Sequence, residues 1–148
     1  MYKHILISTD GSKPATKAAK QGIALAKSLR AKLSVLNVAP EFQMVIDEGF
    51  VMPNIDQIKK RFDEQTTRQA KKIVDGVAAD AKAAGVGCAT VLERGDRPYE
   101  AILQHAKKIK CDLIVMGSHG RTGLAHILLG SETSKVLTHS KIPVLVVR

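Results

Sequence analysis

Five short apolar runs, each separated from the next by enough chain for a helix, constrain this 148-residue sequence more than any other feature. Two of them, "LIVM" at 113 to 116 and "VLVV" at 144 to 147, are apolar at every position. A strand with one face in water alternates apolar and polar residues. A strand without alternation is covered on both faces, the usual condition of a parallel sheet between helices. The other runs are "HILIST" from 4, "KLSVLNV" from 32 and "GVGCATVLERG" from 85.

The intervening segments read as helices. In "DGSKPATKAAKQGIALAKSLR", Ser12 is placed to cap and Pro14 falls in the first turn. Ala15, Ala18, Ala19, Gly22, Ala26 and Leu29 recur at helical spacing and predict the buried stripe. An amphipathic pattern from about Ile55 to Ala84 predicts a long second helix. Asp96 and Pro98 open a third that ends near Lys108, and Ser131 to His139 form the last. The segment "APEFQMVIDEGFVMPN", 39 to 54, mixes apolar residues with Pro and Gly and reads as a lid, a partner contact or a connector. Strand and helix thus alternate, which predicts one doubly wound α/β domain over 1–148 with a five-stranded parallel sheet and helices on both faces. Ligands of such folds bind at the carboxyl ends of the strands, where strand order reverses.

Composition narrows the function. The formal net charge of +9 invites a nucleic-acid reading. However, the basic residues lie along helical patterns interspersed with Asp and Glu, as on a solvated helix face. Tyr2, Phe42, Phe50, Phe62 and Tyr99 are not interleaved with them as a base-stacking platform requires. Cys88 and Cys111 stand in no metal-binding or redox spacing. The opening residues lack the apolar core of a signal peptide, and no apolar run approaches the roughly 18 residues that span a membrane, so a cytoplasmic location is expected.

The chemistry sits at strand ends. The first strand runs into "STDGS", where the Asp10 carboxylate could serve a ribose or an amino group, although from this segment alone a turn or helix cap is the better explanation. The fourth strand runs into "VMGSHGRTGLAHILLGSETSKVL". Here Gly117, Gly120, Gly123 and Gly130 precede a helix start at Ser131. Glycine permits close backbone approach and positive φ, and a helix start adds unpaired N–H groups and a favourable dipole. That is anion-binding chemistry. The Walker pattern, the GxGxxG dinucleotide fingerprint and the GxSxG elbow are all missing. His105 lies on an apolar stripe with Ile102, Ala106 and Ile109 and reads as a packing residue. His126 and His139 have no zinc-site spacing, and only His119, inside the glycine loop, is a candidate ligand contact.

"GSHGRTGLAHILLGS" places Gly117, Gly120, Gly130 and Ser131 in the pattern G, two residues, G, nine residues, G, then Ser or Thr. This resembles the ATP-binding branch of the universal stress protein family. "YKHILISTDGS", "LSVLNV" and "KIPVLVVR" are similar to that family's opening, second and closing strands. The resemblance implies a sheet ordered 3-2-1-4-5, with Asp10 and Gly117 facing one cleft. It implies an adenine nucleotide as ligand, ATP or another, with or without Mg. Thr9 and Asp10 would then contact ribose or adenine, the Val38 backbone the adenine edge, and Met116 the ring. The amides of Gly117, Gly120, Gly130, Ser131, Glu132 and Thr133 would hold ribose and phosphates, with His119 and Arg121 as further contacts. Glu132 departs from the small apolar residue common there, and its carboxylate would repel phosphate if it pointed inward. The implied protein is a regulatory nucleotide binder and a homodimer joined through the last strand. The competing reading is a slow ATPase or adenylating enzyme of the same superfamily, for which no acid or base is evident.

Overall fold

The computed structural model describes residues 1–44, 49, 52–120 and 129–148. The described elements follow the order β1 (His4–Ser8), α1 (Lys13–Leu29), β2 (Lys32–Ala39), α2 (Ile55–Ala83), β3 (Cys88–Arg94), α3 (Pro98–Lys108), β4 (Leu113–Gly117), α4 (Ser131–His139) and β5 (Val144–Val147). All strand pairs are parallel, and the sheet order is β3-β2-β1-β4-β5. None of the described helices is long and apolar enough to cross a membrane.

The two-residue period of a strand divides the core between the faces of the sheet. Ile5 and Ile7 of β1, Val35 of β2 and Val115 of β4 pack with Ala18, Ile23 and Ala26 of α1 and with Val74, Val77 and Ala81 of α2. Leu6, Leu36, Ile114 and Met116, one residue out of phase, pack on the other face against Ile102 and Ala106 of α3 and Val136 of α4. Central strands that feed two cores bury side chains on both faces, which is why β1 and β4 lack alternation in the sequence, while β2 buries Ser34 and Asn37 among its apolar residues. Edge strand β3 departs from this, with Ala89, Thr90 and Leu92 exposed.

Helix α1 starts as its sequence predicts. Ser12 is extended, with φ −67° and ψ 164°, and its Oγ accepts from the Ala15 N–H at 3.3 Å. The buried stripe differs at two positions: Ile23 is buried, and Leu29 is only half-buried. Gly22 is where α1 comes closest to β1. A Cβ built there would lie 2.8 Å from both Cγ1 and Cδ1 of Ile7, a residue with no exposed surface. Replacing a mid-helix glycine with alanine ordinarily stabilises by about 1 kcal/mol. At Gly22 the overpacking cost of about 1–3 kcal/mol should exceed that gain. Gly22→Ala is therefore expected to lower the denaturant midpoint, and a raised midpoint would show that Ile7 can move aside.

Candidate functional site

Because β1 lies between β2 and β4, the connections leaving its carboxyl end and that of β4 diverge to opposite faces, which opens a crevice between them. A cavity of about 560 Å³ fills this crevice. Its walls come from Ser8, Thr9 and Asp10 after β1, Asn37 and Val38 of β2, and Met116, Gly117 and Gly120 at the end of β4. Residues 129–134 at the start of α4, with Ala15, Pro98 and Ile102, complete it.

The Asp10 carboxylate is held in place by the turn it makes, since Oδ1 accepts from the Ser12 N–H at 2.9 Å. The turn reading and the site reading of Asp10 are thus compatible. The loop from β1 is fixed from β2 as well. The Thr9 N–H donates to the Leu36 carbonyl at 3.0 Å, and the buried Asn37 amide donates to the Thr9 carbonyl at 2.8 Å.

The glycines act through close approach. Among the described glycines only Gly11, Gly49 and Gly85 have positive φ, so Gly117, Gly120 and Gly130 are not required for a left-handed turn. A Cβ on Gly117 would lie 2.9 Å from the Pro14 carbonyl carbon and 3.0 Å from the Ala15 nitrogen. A Cβ on Gly120 would fall 2.5 Å from Asp10 Oδ2, and one on Gly130 would fall 2.9 Å from the His119 Cα. The Gly130 N–H donates to the Ser118 carbonyl at 2.6 Å, closing the neck of the loop.

Gly130 is also the N-cap of α4 and supplies no side-chain cap, so the first-turn amides of that helix open toward the cavity. Thr133 anchors the turn by donating its hydroxyl to the Gly117 carbonyl at 2.9 Å. The Glu132 carboxylate turns to α3, where Oε2 accepts from the Tyr99 N–H at 2.9 Å and Oε1 lies 3.3 Å from Lys135 Nζ. Despite the basic composition, the charged side chains lining the cavity among the described residues are two carboxylates, Asp10 and Glu132. Attraction for an anion there comes from backbone N–H groups and the dipole of α4.

The structure brings Thr9, Asp10, Val38, Met116, Gly117, Gly120, Gly130, Ser131, Glu132 and Thr133 to one cavity. His119 is not in the lining; its ring bonds Ser118 Oγ at 3.1 Å and its backbone abuts Gly130. Arg121 and His126 lie outside the described residues, as do 45–48, 50 and 51 of the segment after β2. Sequence reading missed Asn37, Pro98 and Ile102. Asn37 left a trace as the polar residue in an apolar run, whereas the other two reach the site only through the packing of α3 beside α4. The cysteines are remote from this chemistry, and burial pushes both thiols up to about 11, away from the reactive thiolate.

A parallel sheet in order 3-2-1-4-5 with a crevice at the carboxyl ends of its strands defines the class of open, doubly wound α/β domains. The model of the universal stress protein family matches residues 1–148, and the chain belongs to that family. Universal stress protein YxiE of Bacillus subtilis is 35% identical over 153 residues that cover 100% of both chains. Universal stress protein MJ0577 of Methanocaldococcus jannaschii is 32% identical, with 100% of this chain and 96% of that one aligned. Its solved structure superposes with a TM-score of 0.83, covering 99% of this chain and 96% of that one. A universal stress protein solved in complex with cAMP is 26% identical, with a TM-score of 0.70 and coverage of 99% and 97%.

The tie between Thr133 and Gly117 has a direct test. Thr133→Val keeps the shape and removes the donor to a buried carbonyl, which should cost about 1–3 kcal/mol in chemical denaturation. An unchanged midpoint would mean that the hydroxyl does not hold α4 to β4.

Proposed function

We propose that the crevice binds an adenine nucleotide, ATP or a close relative, and that the protein is a regulatory nucleotide binder. The carrying observation is that one cavity joins the apolar residues Val38, Ile102 and Met116 with the glycines that follow β4 and the uncapped start of α4. An apolar recess suits a purine ring, and convergent N–H groups suit phosphate. The complex of a 26% identical family member with cAMP supports the same ligand class. In this reading Asp10 meets the ribose, the Val38 backbone meets the adenine edge, and Met116 packs on the ring. The amides of Gly117, Gly120 and Ser131 to Thr133 hold the phosphates, while the Gly130 N–H stays on the Ser118 carbonyl and shapes the loop.

Calorimetry with ATP should show micromolar-range binding. In folded Gly130→Val, the branched side chain displaces the His119 backbone and should weaken affinity about tenfold or more, equivalent to ~1.4 kcal/mol. Unchanged affinity in that variant would refute the phosphate-loop assignment. The reading is of binding and not of turnover, so ATP hydrolysis near about one per second, abolished by a loop substitution, would replace it with an enzyme.

The same reading includes a twofold dimer through β5. This strand pairs with β4 on one side and ends the sheet on the other, with Leu145 38% exposed. The Ile114 N–H donates to the Pro143 carbonyl and the Ser118 N–H to the Val147 carbonyl. By the alternation of a ladder, Val144 and Val146 turn their N–H and C=O groups outward, where an antiparallel copy of β5 can meet them. Val146→Pro removes an outward donor and spares the bonds to β4. Light scattering at tens of micromolar should show a dimer for the full chain and a monomer for the variant. A monomeric full chain, or a dimer indifferent to the proline, rules out this interface.

A further inference from the structure

Helix α3 begins without a cap of its own. Pro98 opens it, and Arg97, with φ −121° and ψ 81°, makes no side-chain bond to the first-turn amides, its guanidinium pairing instead with Glu100 Oε1 at 3.1 Å. The Glu100 and Ala101 N–H groups reach back to the Arg97 carbonyl at 3.1 and 3.4 Å. That leaves the Tyr99 N–H, which has no possible acceptor within its helix. Its acceptor is Glu132 Oε2 at 2.9 Å, a carboxylate 33 positions further along the chain. The contact is reinforced around the ring, where Lys135 Nζ lies 5.6 Å from the Tyr99 centroid and the His139 ring 5.2 Å away.

Glu132 is also in the first turn of α4. A carboxylate at such a position commonly folds back and accepts from the amides of its own helix start. Here it is engaged with α3 and Lys135 instead, and Gly130 cannot cap either, so the amides of Ser131, Glu132 and Thr133 stay open to the cavity.

We propose that Glu132 is a positioning residue: by capping α3 in trans it fixes the open start of α4 and, held beside Lys135, keeps its own charge turned from the bound phosphates. This rests on the nucleotide reading above and accounts for a carboxylate within an anion-binding turn. Glu132→Ala removes both the acceptor and the charge, whereas Glu132→Gln retains an acceptor oxygen. Binding of ATP and of AMP by all three chains, with hydrogen exchange at Tyr99 in the ligand-free state, separates the two contributions. Glu132→Ala should weaken both nucleotides about tenfold, the scale of a lost cap, and speed exchange at Tyr99. Glu132→Gln should restore most of that loss and leave the ratio of ATP to AMP affinity as in the parent chain. A glutamine variant that gains affinity for ATP and not for AMP would show that the charge faces the phosphates and would overturn the proposal. An alanine variant with unaltered affinities would also overturn it. If the parent chain binds neither nucleotide, the nucleotide reading fails, and exchange at Tyr99 decides the tie between the helices by itself. Unchanged protection in Glu132→Ala then refutes it.

Discussion

A backbone contact that leaves no room for a side chain, Gly117 against Pro14 and Ala15, determines where the crevice lies. Helix α1 can start directly over the end of β4 only because β4 finishes in a residue without Cβ. That start is itself fixed, since Ser12 Oγ accepts from the Ala15 N–H that faces the glycine. The consequences run outward. The turn before Ser12 brings Asp10 over Gly120, and the Gly117 carbonyl receives the Thr133 hydroxyl, so one residue orients both walls of the cavity. A Cβ at Gly117 would push on main chain and not on a flexible side-chain tip, so the strain could not be relieved locally.

Much of this was legible in the sequence because it depends on period and spacing. The uninterrupted apolar run of β4 marked a strand buried on both faces, whereas the equally apolar run of β5 is an edge strand with Leu145 exposed and its valines half-buried; Ser12, Pro14 and the Gly-Ser at α4 marked helix starts to the residue. The physical role of the glycines was only half legible. A glycine can signal positive φ or close approach, and the one-dimensional pattern does not separate them. The backbone resolves Gly117, Gly120 and Gly130 as close approach, and it reserves positive φ nearby for Gly11. The long-range partnerships were not legible at all. Glu132 accepts from the Tyr99 N–H, 33 residues earlier in the chain, and only the packing of α3 beside α4 brings Tyr99 within reach. Pro98 and Ile102 enter the cavity wall for the same reason.

Composition points in a misleading direction on charge. A net charge of +9 suggests a crevice lined with lysine and arginine. Those side chains instead decorate helix surfaces such as α1, where Lys17, Lys20 and Lys27 are exposed. The described wall of the cavity has two acidic residues, Asp10 beside Gly120 and Glu132 in the first turn of α4, and no lysine or arginine. Positive composition raises the general potential around the molecule, an effect that salt screens over about 8–10 Å.

Recognition by amides follows different rules from recognition by side-chain charge. An N–H group must point at its acceptor within hydrogen-bonding distance, and its strength falls steeply with misalignment. A lysine tolerates displacement because its long stem can adjust, whereas a helix start can be re-aimed only by moving the helix. The selectivity of such a crevice is therefore set by whatever fixes α4: the Thr133 hydroxyl on β4, the neck bond from Gly130 to Ser118, and the Glu132 carboxylate on α3. These three anchors hold the turn from three directions; the neck bond takes the Gly130 N–H, and the amides of Ser131, Glu132 and Thr133 are left for a ligand.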